Sequence, residues 1–285
     1  MASSRILSGF GEVAAHYRTA IIDLWGVVHD GTRPYPGVLD CLARMRGAGI
    51  DRIFLSNAPR RADAVRRQIA GIGVPPEAYD AVVSSGEIAY RALEAGIDGL
   101  ARDAPYYYLG PTKDEQLLAG LGYARSSSPA NAAFLLVTGL RHDERETVAD
   151  YEDELAAARQ AGLPLLCANP DLRVMRGDRI LLCAGALAAR YEELGGTVVQ
   201  FGKPYRTAYE ACLGDHGVER RHVVAIGDSP RTDLLGAMNF GIDAIFVAGG
   251  LHRADVGDPI EPARLSRFLA DSNVDPFAVL RGLTW

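Results

Sequence analysis

Acidic residues follow two apolar runs that have the composition of buried β-strands. Asp23 comes directly after Thr19–Ile22, and Asp228 comes directly after Val223–Gly227, with Asp233 five positions later. Open α/β sheets bind ligands at the carboxyl ends of their strands, and carboxylate oxygens are preferred ligands of hard divalent cations. The pattern predicts a cation site at one sheet edge, with Asp23 and Asp228 as ligands and Asp233 holding a metal-bound water.

Two other segments carry groups that suit a phosphate ester. Ser56 ends the apolar run Asp51–Ser56 and precedes Asn57, and Lys203 follows the run 197–201. A hydroxyl and backbone amides donate to phosphate oxygens, and an ammonium adds a point charge. Each group alone is more typical of a cap, a turn or a solvated lysine. Together with the acids they predict a site for a metal-bound phosphate ester, because a cation offsets the repulsion of roughly 4 kcal/mol per charge pair between carboxylate and phosphate.

The order of the predicted elements indicates an α/β fold in two parts. Apolar β-branched runs alternate with amphipathic helical stretches, which is typical of a doubly wound parallel sheet with helices on both faces. We expect a core formed by residues 1–85 and 197–285, in which the run 197–201 is a core strand. Residues 86–196 form an inserted α/β module that covers the site, excludes water and selects the substrate.

Composition and charge restrict the partners. The chain has 285 residues, of which 48% are hydrophobic, and its net charge of -6 argues against nucleic acid or an acidic membrane as the main partner. The N-terminal segment lacks the apolar core of a signal peptide, and no apolar run reaches membrane-spanning length. The cysteines are widely spaced without a CxxC pair, which indicates reduced, buried thiols in cytoplasm. They are Cys41, Cys167, Cys183 and Cys212.

The motifs are similar to those of a known family. The chain resembles the haloacid-dehalogenase-like (HAD-like) hydrolases, and within them the class IIA group, in which a cap is inserted after the third core strand. Residues 23–31 resemble the first motif, 55–60 the second, 202–204 the third and 227–233 the fourth. The segment Ala-Asn-Pro-Asp at 168–171 resembles a landmark of the class IIA cap. That group includes sugar-phosphate, nucleotide, phosphoglycolate and pyridoxal-phosphate phosphatases.

The resemblance implies a Mg²⁺-dependent phosphomonoester hydrolase that acts on a small phosphorylated metabolite. Asp23 would be the nucleophile that becomes a phosphoaspartate, Ser56 and Asn57 would bind the phosphoryl group, and Lys203 would steady it. Homodimer formation through the exposed cap is a further expectation. The implied metal ligands are the carboxylates of Asp23 and Asp228 and the backbone carbonyl of Trp25, supported by Asp233.

One position departs from the family pattern. The family's phosphatases place a second aspartate two residues after the nucleophile as general acid and base, and this chain has Trp25 there. General acid and base catalysis of this kind typically raises the rate ~10²–10⁴-fold. His29 or Asp30 could substitute as the proton donor, the enzyme could be slow or restricted to good leaving groups, or the protein could bind phosphate esters without turnover. A carbon-centred, dehalogenase-like reaction is less consistent with the retained Asp228 and Asp233.

Other residues near the site have weaker signals. Trp25 is interpreted as a wedge that packs the loop against the cap. Arg60, just after the second motif, could reach the substrate. Asn169, Asp171 and Arg173 lie near a turn of the cap, and turn chemistry accounts for the first two.

Overall fold

The computed structural model contains two parallel sheets and a two-stranded antiparallel hairpin. It describes residues 5–177, 179–214 and 217–285, so residues 1–4 of the predicted N-terminal segment lie outside it. In these ranges the strands are β1 Arg5–Ile6, β2 Thr19–Ile22, β3 Asp51–Ser56, β4 Ala81–Ser84, β5 Tyr106–Leu109, β6 Arg125–Ser126, β7 Phe134–Val137, β8 Leu165–Cys167, β9 Arg173–Arg176, β10 Arg179–Leu182, β11 Val198–Gln200, β12 Val223–Gly227, β13 Asp243–Val247 and β14 Ala278–Leu280.

The helices alternate with these strands. In the described ranges the α-helices are α1 Val38–Gly47, α2 Ala62–Gly71, α3 Ser85–Ala95, α4 Glu152–Gln160, α5 Ala184–Glu193, α6 Arg206–Leu213, α7 Leu235–Phe240, α8 Arg253–Val256 and α9 Pro262–Asp271. Short 3₁₀ segments are Phe10–Glu12, Ala14–His16, Pro76–Ala78, Thr112–Leu118, Pro129–Asn131, Val148–Tyr151 and Arg220–His222, and Pro230–Leu234 is a π-helical turn.

The larger sheet has the order β1-β14-β13-β12-β2-β3-β4, and its strands are parallel. The chain runs outward in one direction from β2 to β4 and in the other direction from β12 to β14. The order therefore reverses between β2 and β12, and the crevice at such a switch point is where open α/β sheets bind ligands. Asp23 and Asp228 follow these two strands directly. The predicted doubly wound fold is confirmed.

Burial of both faces explains why the core strands have continuous apolar sequences. On one face, Ile22 and Phe54 pack with residues of α1 and α2. On the other face, Ile21 and Ile53 pack with residues of α6, α7 and α9. Because consecutive residues of a strand point to opposite faces, a run of apolar residues serves both layers. This packing fixes the heights at which the strands end.

The smaller sheet has the order β11-β8-β7-β5-β6, is also parallel, and follows β4 in the chain. One face packs against α4 and α5 through Leu155 and Leu187. The other face packs against α3 through Ala89 and Leu93. The hairpin β9–β10 emerges from this part of the chain, and Gly177 at its tip donates a backbone hydrogen bond to the carbonyl of Asp30 at 3.2 Å.

The expected membership of one strand is wrong. We expected the run 197–201 to be a core strand, but Val198–Gln200 pairs with Leu165–Cys167 at the edge of the smaller sheet. An apolar β-branched run favours a strand but does not specify its partner, which depends on long-range packing. The chain returns to the core in the loop after this strand, and that loop carries Lys203.

Two expectations from composition concern the cysteines and the membrane. The four cysteines are free and buried in the structure, as predicted. Buried free cysteine packs as a small apolar residue. Within the described ranges, none of the helices combines the length and apolar composition that a bilayer crossing requires.

Candidate active site

The carboxyl edge of the core sheet brings together segments that are far apart in sequence. Ile22 lies opposite both Phe54 and Ile226 in the parallel ladders. The residues that follow these strands therefore project from the same edge at nearly the same height. The backbone amide of Asp23 donates to the carbonyl of Ile226 at 2.9 Å, which holds the two acid-bearing loops side by side.

Three carboxylates and one ammonium group meet at this edge. Asp23, Asp228 and Asp233 each offer an oxygen, and these oxygens lie within 4.8 Å of one another. Lys203 Nζ donates to Asp23 Oδ1 at 2.6 Å and to Asp233 Oδ1 at 2.7 Å. The backbone amide of Leu251 holds Asp228 Oδ2 at 2.7 Å. The predicted acids and the predicted lysine thus form one contiguous cluster.

The cluster carries more negative than positive charge. Burial raises the pKa of Asp23, and the nearby carboxylates of Asp233 and Asp228 act in the same direction against Lys203. Burial, followed by the Asp233 carboxylate, raises the pKa of Asp228 to about 7. Burial opposes the charge of Lys203, but Asp23 and Asp233 outweigh it and raise its pKa. A divalent cation would relieve the excess negative charge, and the all-oxygen donor set fits Mg²⁺.

Two glycines leave space around the Asp228 carboxylate. A Cβ built on Gly26 or on Gly250 would overlap Asp228 Oδ2. Gly26 also has a φ of 76°, which is the left-handed region that favours glycine. Bare backbone therefore approaches the carboxylate from both loops, which allows the Asp228 side chain to keep its position beside Asp23.

The Asn57 side chain is fully engaged by the protein. Its Oδ1 accepts from the backbone amide of Lys203 at 2.8 Å, and its Nδ2 donates to the Lys203 carbonyl at 3.2 Å and to Asp171 Oδ1 at 2.9 Å. Both amide hydrogens are therefore used. Asn57 positions the loop of Lys203, and its backbone amide is the group left for a ligand. The hydroxyl of Ser56 accepts from the amide of Ala58 at 3.2 Å and lines the same site.

A cavity of about 360 Å³ lies between the core edge and the inserted module. Its core side includes Asp23, Trp25, Ser56, Asn57 and Arg60, and its module side includes Lys113, Asp114, Thr138, Asp143, Asn169, Asp171 and Arg176. The two sides also contact each other directly. Arg60 Nε donates to Asp114 Oδ1 at 2.6 Å, and Arg231 Nη1 donates to the Pro170 carbonyl at 2.8 Å. Arg60, which we expected near the substrate, bridges the two parts of the chain through Asp114.

Comparison with known proteins identifies the family. A family model described as haloacid dehalogenase-like hydrolase matches residues 20–124, and one described as HAD-hydrolase-like matches residues 200–272. A crystal structure of a haloacid dehalogenase-like family hydrolase from Brucella suis 1330 is 33% identical, with a TM-score of 0.85, and the match covers 98% of this chain and 100% of that one. The chain belongs to the haloacid dehalogenase-like hydrolase family.

Curated relatives agree with this assignment. Human chronophin is 26% identical over 254 residues, covering 86% of this chain and 85% of that protein. Ribonucleotide monophosphatase NagD of Escherichia coli K12 is 24% identical over 265 residues, covering 90% of this chain and 98% of that protein. The expected resemblance to the HAD-like class IIA hydrolases is confirmed.

Trp25 stands at the position where HAD-like phosphatases have their second aspartate. Its ring lines the cavity and lies edge-on to His29, with 4.9 Å between the ring centroids. A Cβ on Gly31 would overlap the indole, so the ring packs against the opposite side of its own loop. Trp25 therefore fills space that an aspartate would leave open, and it brings no proton donor to the reacting centre.

The two residues considered as substitutes are engaged in the loop. His29 is 1% exposed, its Nδ1 accepts from the Gly31 amide at 3.0 Å, and burial lowers its pKa to about 4. Asp30 Oδ1 accepts from the backbone amides of Thr32 and Arg33 at 2.8 and 2.9 Å. Burial opposes the charge of Asp30, but the hydrogen bonds from Thr32 and Arg33 outweigh it and lower its pKa. Neither residue is among those that line the described cavity.

Sequence reasoning missed the position of Asp171. The sequence predicts a turn here, and the backbone amide of Asp171 does donate to Asn169 Oδ1 at 3.1 Å, as in such a turn. Its carboxylate, however, lines the cavity together with Asp23 and Trp25. The available signal was its place in the segment 168–171, which resembles a landmark of the cap. Arg173 lines a small adjoining cavity beside Asp228.

Proposed function

We propose that the protein is a Mg²⁺-dependent phosphomonoester hydrolase that acts on a small phosphorylated metabolite through a phosphoaspartate on Asp23. The observation that carries the proposal is the ion pair of Lys203 with Asp23, which lines the cavity and lies next to Asp228. NagD is named as a ribonucleotide monophosphatase. Its similarity supports the same reaction class here.

The residues of the chain would divide the work as follows. Asp23 attacks phosphorus, and Lys203 orients the attacking carboxylate and favours its ionised form. The Ser56 hydroxyl and the Asn57 backbone amide donate to the phosphoryl oxygens, where negative charge is held during transfer. When bound, Mg²⁺ supplies positive charge that offsets the repulsion between carboxylate and phosphate. Its ligands would be the carboxylates of Asp23 and Asp228 and the backbone carbonyl of Trp25, with Asp233 in support.

We also propose that the inserted module acts as a cap. The predicted boundaries are 86–196, and the pairing of β11 extends the module's sheet to Gln200. The module supplies one wall of the cavity, so it would exclude water and select the substrate. The free buried cysteines support the proposed cytoplasmic location. Homodimer formation stays a prediction.

Phosphate release from a panel of small phosphate esters tests the proposal. We expect release with Mg²⁺, loss of release in EDTA, and loss of release in Asp23→Asn. A matched control is Asp40→Asn, which changes an exposed acid that is paired with Arg44 and is not among the residues lining the cavity. If wild-type protein releases no more phosphate than Asp23→Asn on any ester, the proposal is wrong. The phosphatase relatives give no support to the alternative of binding without turnover.

A further inference from the structure

We propose that Asp171, from the inserted module, is the general acid and base of the reaction, in the role left open by Trp25. This inference rests on the proposed function, because it assigns a residue to that same reaction. The starting observation is a carboxylate at the reacting centre that the mechanism above does not use. Asp171 lines both the main cavity and the small adjoining one, and Asp23 and Trp25 line both as well.

One oxygen of Asp171 is fixed and the other is free. Oδ1 accepts from Asn57 Nδ2 at 2.9 Å. Asp171 Oδ2 has no hydrogen-bond partner among the described residues. Every fully buried side-chain oxygen or nitrogen of these residues has a partner, so Oδ2 is not fully buried. Oδ2 is therefore open to the cavity that the residue lines. A carboxyl group anchored through one oxygen, with the other facing the ligand space, is oriented to transfer a proton.

The other acids that the inserted module contributes to the cavity form ion pairs with arginines. Asp114 Oδ1 accepts from Arg60 Nε at 2.6 Å, and Asp143 Oδ2 accepts from Arg176 Nη2 at 2.8 Å. In each pair a guanidinium group already holds the carboxylate. Asp171 instead accepts a hydrogen bond from the neutral amide of Asn57, so no ion pair with an arginine is lost when its carboxyl group is protonated. Burial raises the pKa of Asp171 against Lys203, the Asn57 hydrogen bond and Arg231, which lower it, and the Asp233 carboxylate adds to the rise.

Position also separates the acid from the nucleophile. Asp23 follows a core strand, whereas Asp171 belongs to the inserted module, and both line the cavity. In an in-line displacement the attacking and leaving oxygens lie on opposite sides of phosphorus. A donor on the module side is placed for the leaving oxygen, while the core supplies the attacking one. The Asn57 side chain contacts both Asp171 and the backbone of Lys203. The position of the proton donor is therefore coupled to the loop that orients the nucleophile.

The proposed steps balance. In the first, Asp23 forms a bond to phosphorus, the bond to the ester oxygen breaks with its electron pair on that oxygen, and Asp171 Oδ2 gives the oxygen its proton. The alcohol leaves, and Asp171 is a carboxylate. In the second, a water attacks phosphorus and gives a proton to Asp171, and the bond to Asp23 breaks. Phosphate leaves with both residues restored.

The test compares Asp171→Asn with wild type on an alkyl phosphate and on p-nitrophenyl phosphate. Asparagine keeps an oxygen for the Asn57 bond but cannot exchange a proton. We expect kcat/KM to fall by ~10²–10⁴-fold on the alkyl ester and by much less on p-nitrophenyl phosphate, whose leaving group needs no proton. The second step should slow on both esters, so a burst of p-nitrophenol should appear only in the variant, and more phosphoenzyme should accumulate in the variant than in wild type.

A matched control is Asp143→Asn, which alters an acid of the same cavity and should change both esters by one common factor. Asp171→Ala with added formate provides an independent readout, since a small acid should restore alkyl-ester turnover in that variant. Equal losses on both esters, no burst and no rescue would overturn the assignment while phosphatase activity in wild type stands. Loss of Mg²⁺-dependent release in wild type itself would overturn the proposed function and this assignment together.

Discussion

Lys203 Nζ lies 2.6 Å from Asp23 Oδ1, although the two residues are 180 positions apart in the chain. The same ammonium lies 2.7 Å from Asp233 Oδ1. Lys203 is 3% exposed, and its ammonium contacts two of the three carboxylates of this cluster, those of Asp23 and Asp233. This contact joins the loop after β11 to the loop after β2, and it determines how the cluster responds to substitution.

Replacing the lysine should alter stability and metal response together. In Lys203→Met the buried carboxylates lose their counter-charge, and removing one partner of a buried pair typically costs about 3–5 kcal/mol. We expect a lower midpoint of thermal unfolding in EDTA, a larger Mg²⁺-induced rise in that midpoint than in wild type, and strongly reduced turnover. Differential scanning calorimetry with and without Mg²⁺ measures this. An unchanged metal-induced shift would show that Lys203 and the cation do not share these carboxylates.

Glycine at position 250 should be needed for metal affinity. A Cβ there would overlap Asp228 Oδ2 and lie 2.7 Å from the Gly26 carbonyl oxygen. The φ of Gly250 is not positive, so Gly250→Ala needs no left-handed backbone at residue 250 and acts by displacing the carboxylate and the neighbouring loop. We expect the Mg²⁺ concentration for half-maximal activity to rise about tenfold or more, as for other residues that orient metal ligands. Gly282→Ala is the control, since a Cβ there meets no atom within 4 Å. Equal metal dependence of the two variants would contradict this prediction.

Buried His29 should make the fold sensitive to acid. Its pKa is lowered to about 4, below the usual 6.5. Between these values the unfolded chain binds a proton that the folded chain does not, so stability falls as pH decreases from 6.5 towards 4 and is unaffected above 6.5. At pH 5 the loss is on the order of 2 kcal/mol. Urea unfolding at pH 7.5 and at pH 5 measures how far the free energy of unfolding falls between the two pH values. We expect this fall to be smaller by about 2 kcal/mol in His29→Gln than in wild type. An equal fall in both proteins would contradict the prediction.

The buried Arg52 of β3 should contribute to stability only while its partner Asp80 is present. Arg52 is nearly fully buried and donates three side-chain bonds to the Asp80 carboxylate, from Nε and twice from Nη2. Asp80→Ala leaves the buried guanidinium without counter-charge, and we expect a cost of about 3 kcal/mol in the free energy of unfolding. Glu210→Ala removes the exposed partner of Arg206 and should cost less than ~1 kcal/mol. Similar costs for the two variants would contradict the role of burial.

The parts of the site that were predictable are those with local signals. Asp23 and Asp228 each end an apolar run, and the parallel pairing of β2 with β12 follows from the alternation of strands and helices. Ser56, which supplies the hydroxyl, is also the last residue of a strand in the same sheet. A strand end is a property of a few adjacent residues, so one sequence was sufficient to place these groups on one edge.

The parts that were not predictable depend on partners distant in sequence. The run at 198–200 forms a strand as expected, but its partner Leu165–Cys167 belongs to the smaller sheet. Asp171 has the sequence signature of a turn, and its contact with Asn57 spans 114 positions. The same contact uses the Asn57 side chain, which explains why that amide holds the loop rather than the ligand. Such pairings result from how the module packs on the core.

The covalent step is the central claim, and it is measured most directly by acid quenching during turnover with Mg²⁺, followed by peptide mass spectrometry. The account predicts one phosphoryl group on the peptide that contains Asp23, and none on that peptide in Asp23→Asn. Sustained phosphate release by wild-type protein with Asp23 unmodified at every quench time, and an undiminished rate in Asp23→Asn, would contradict it.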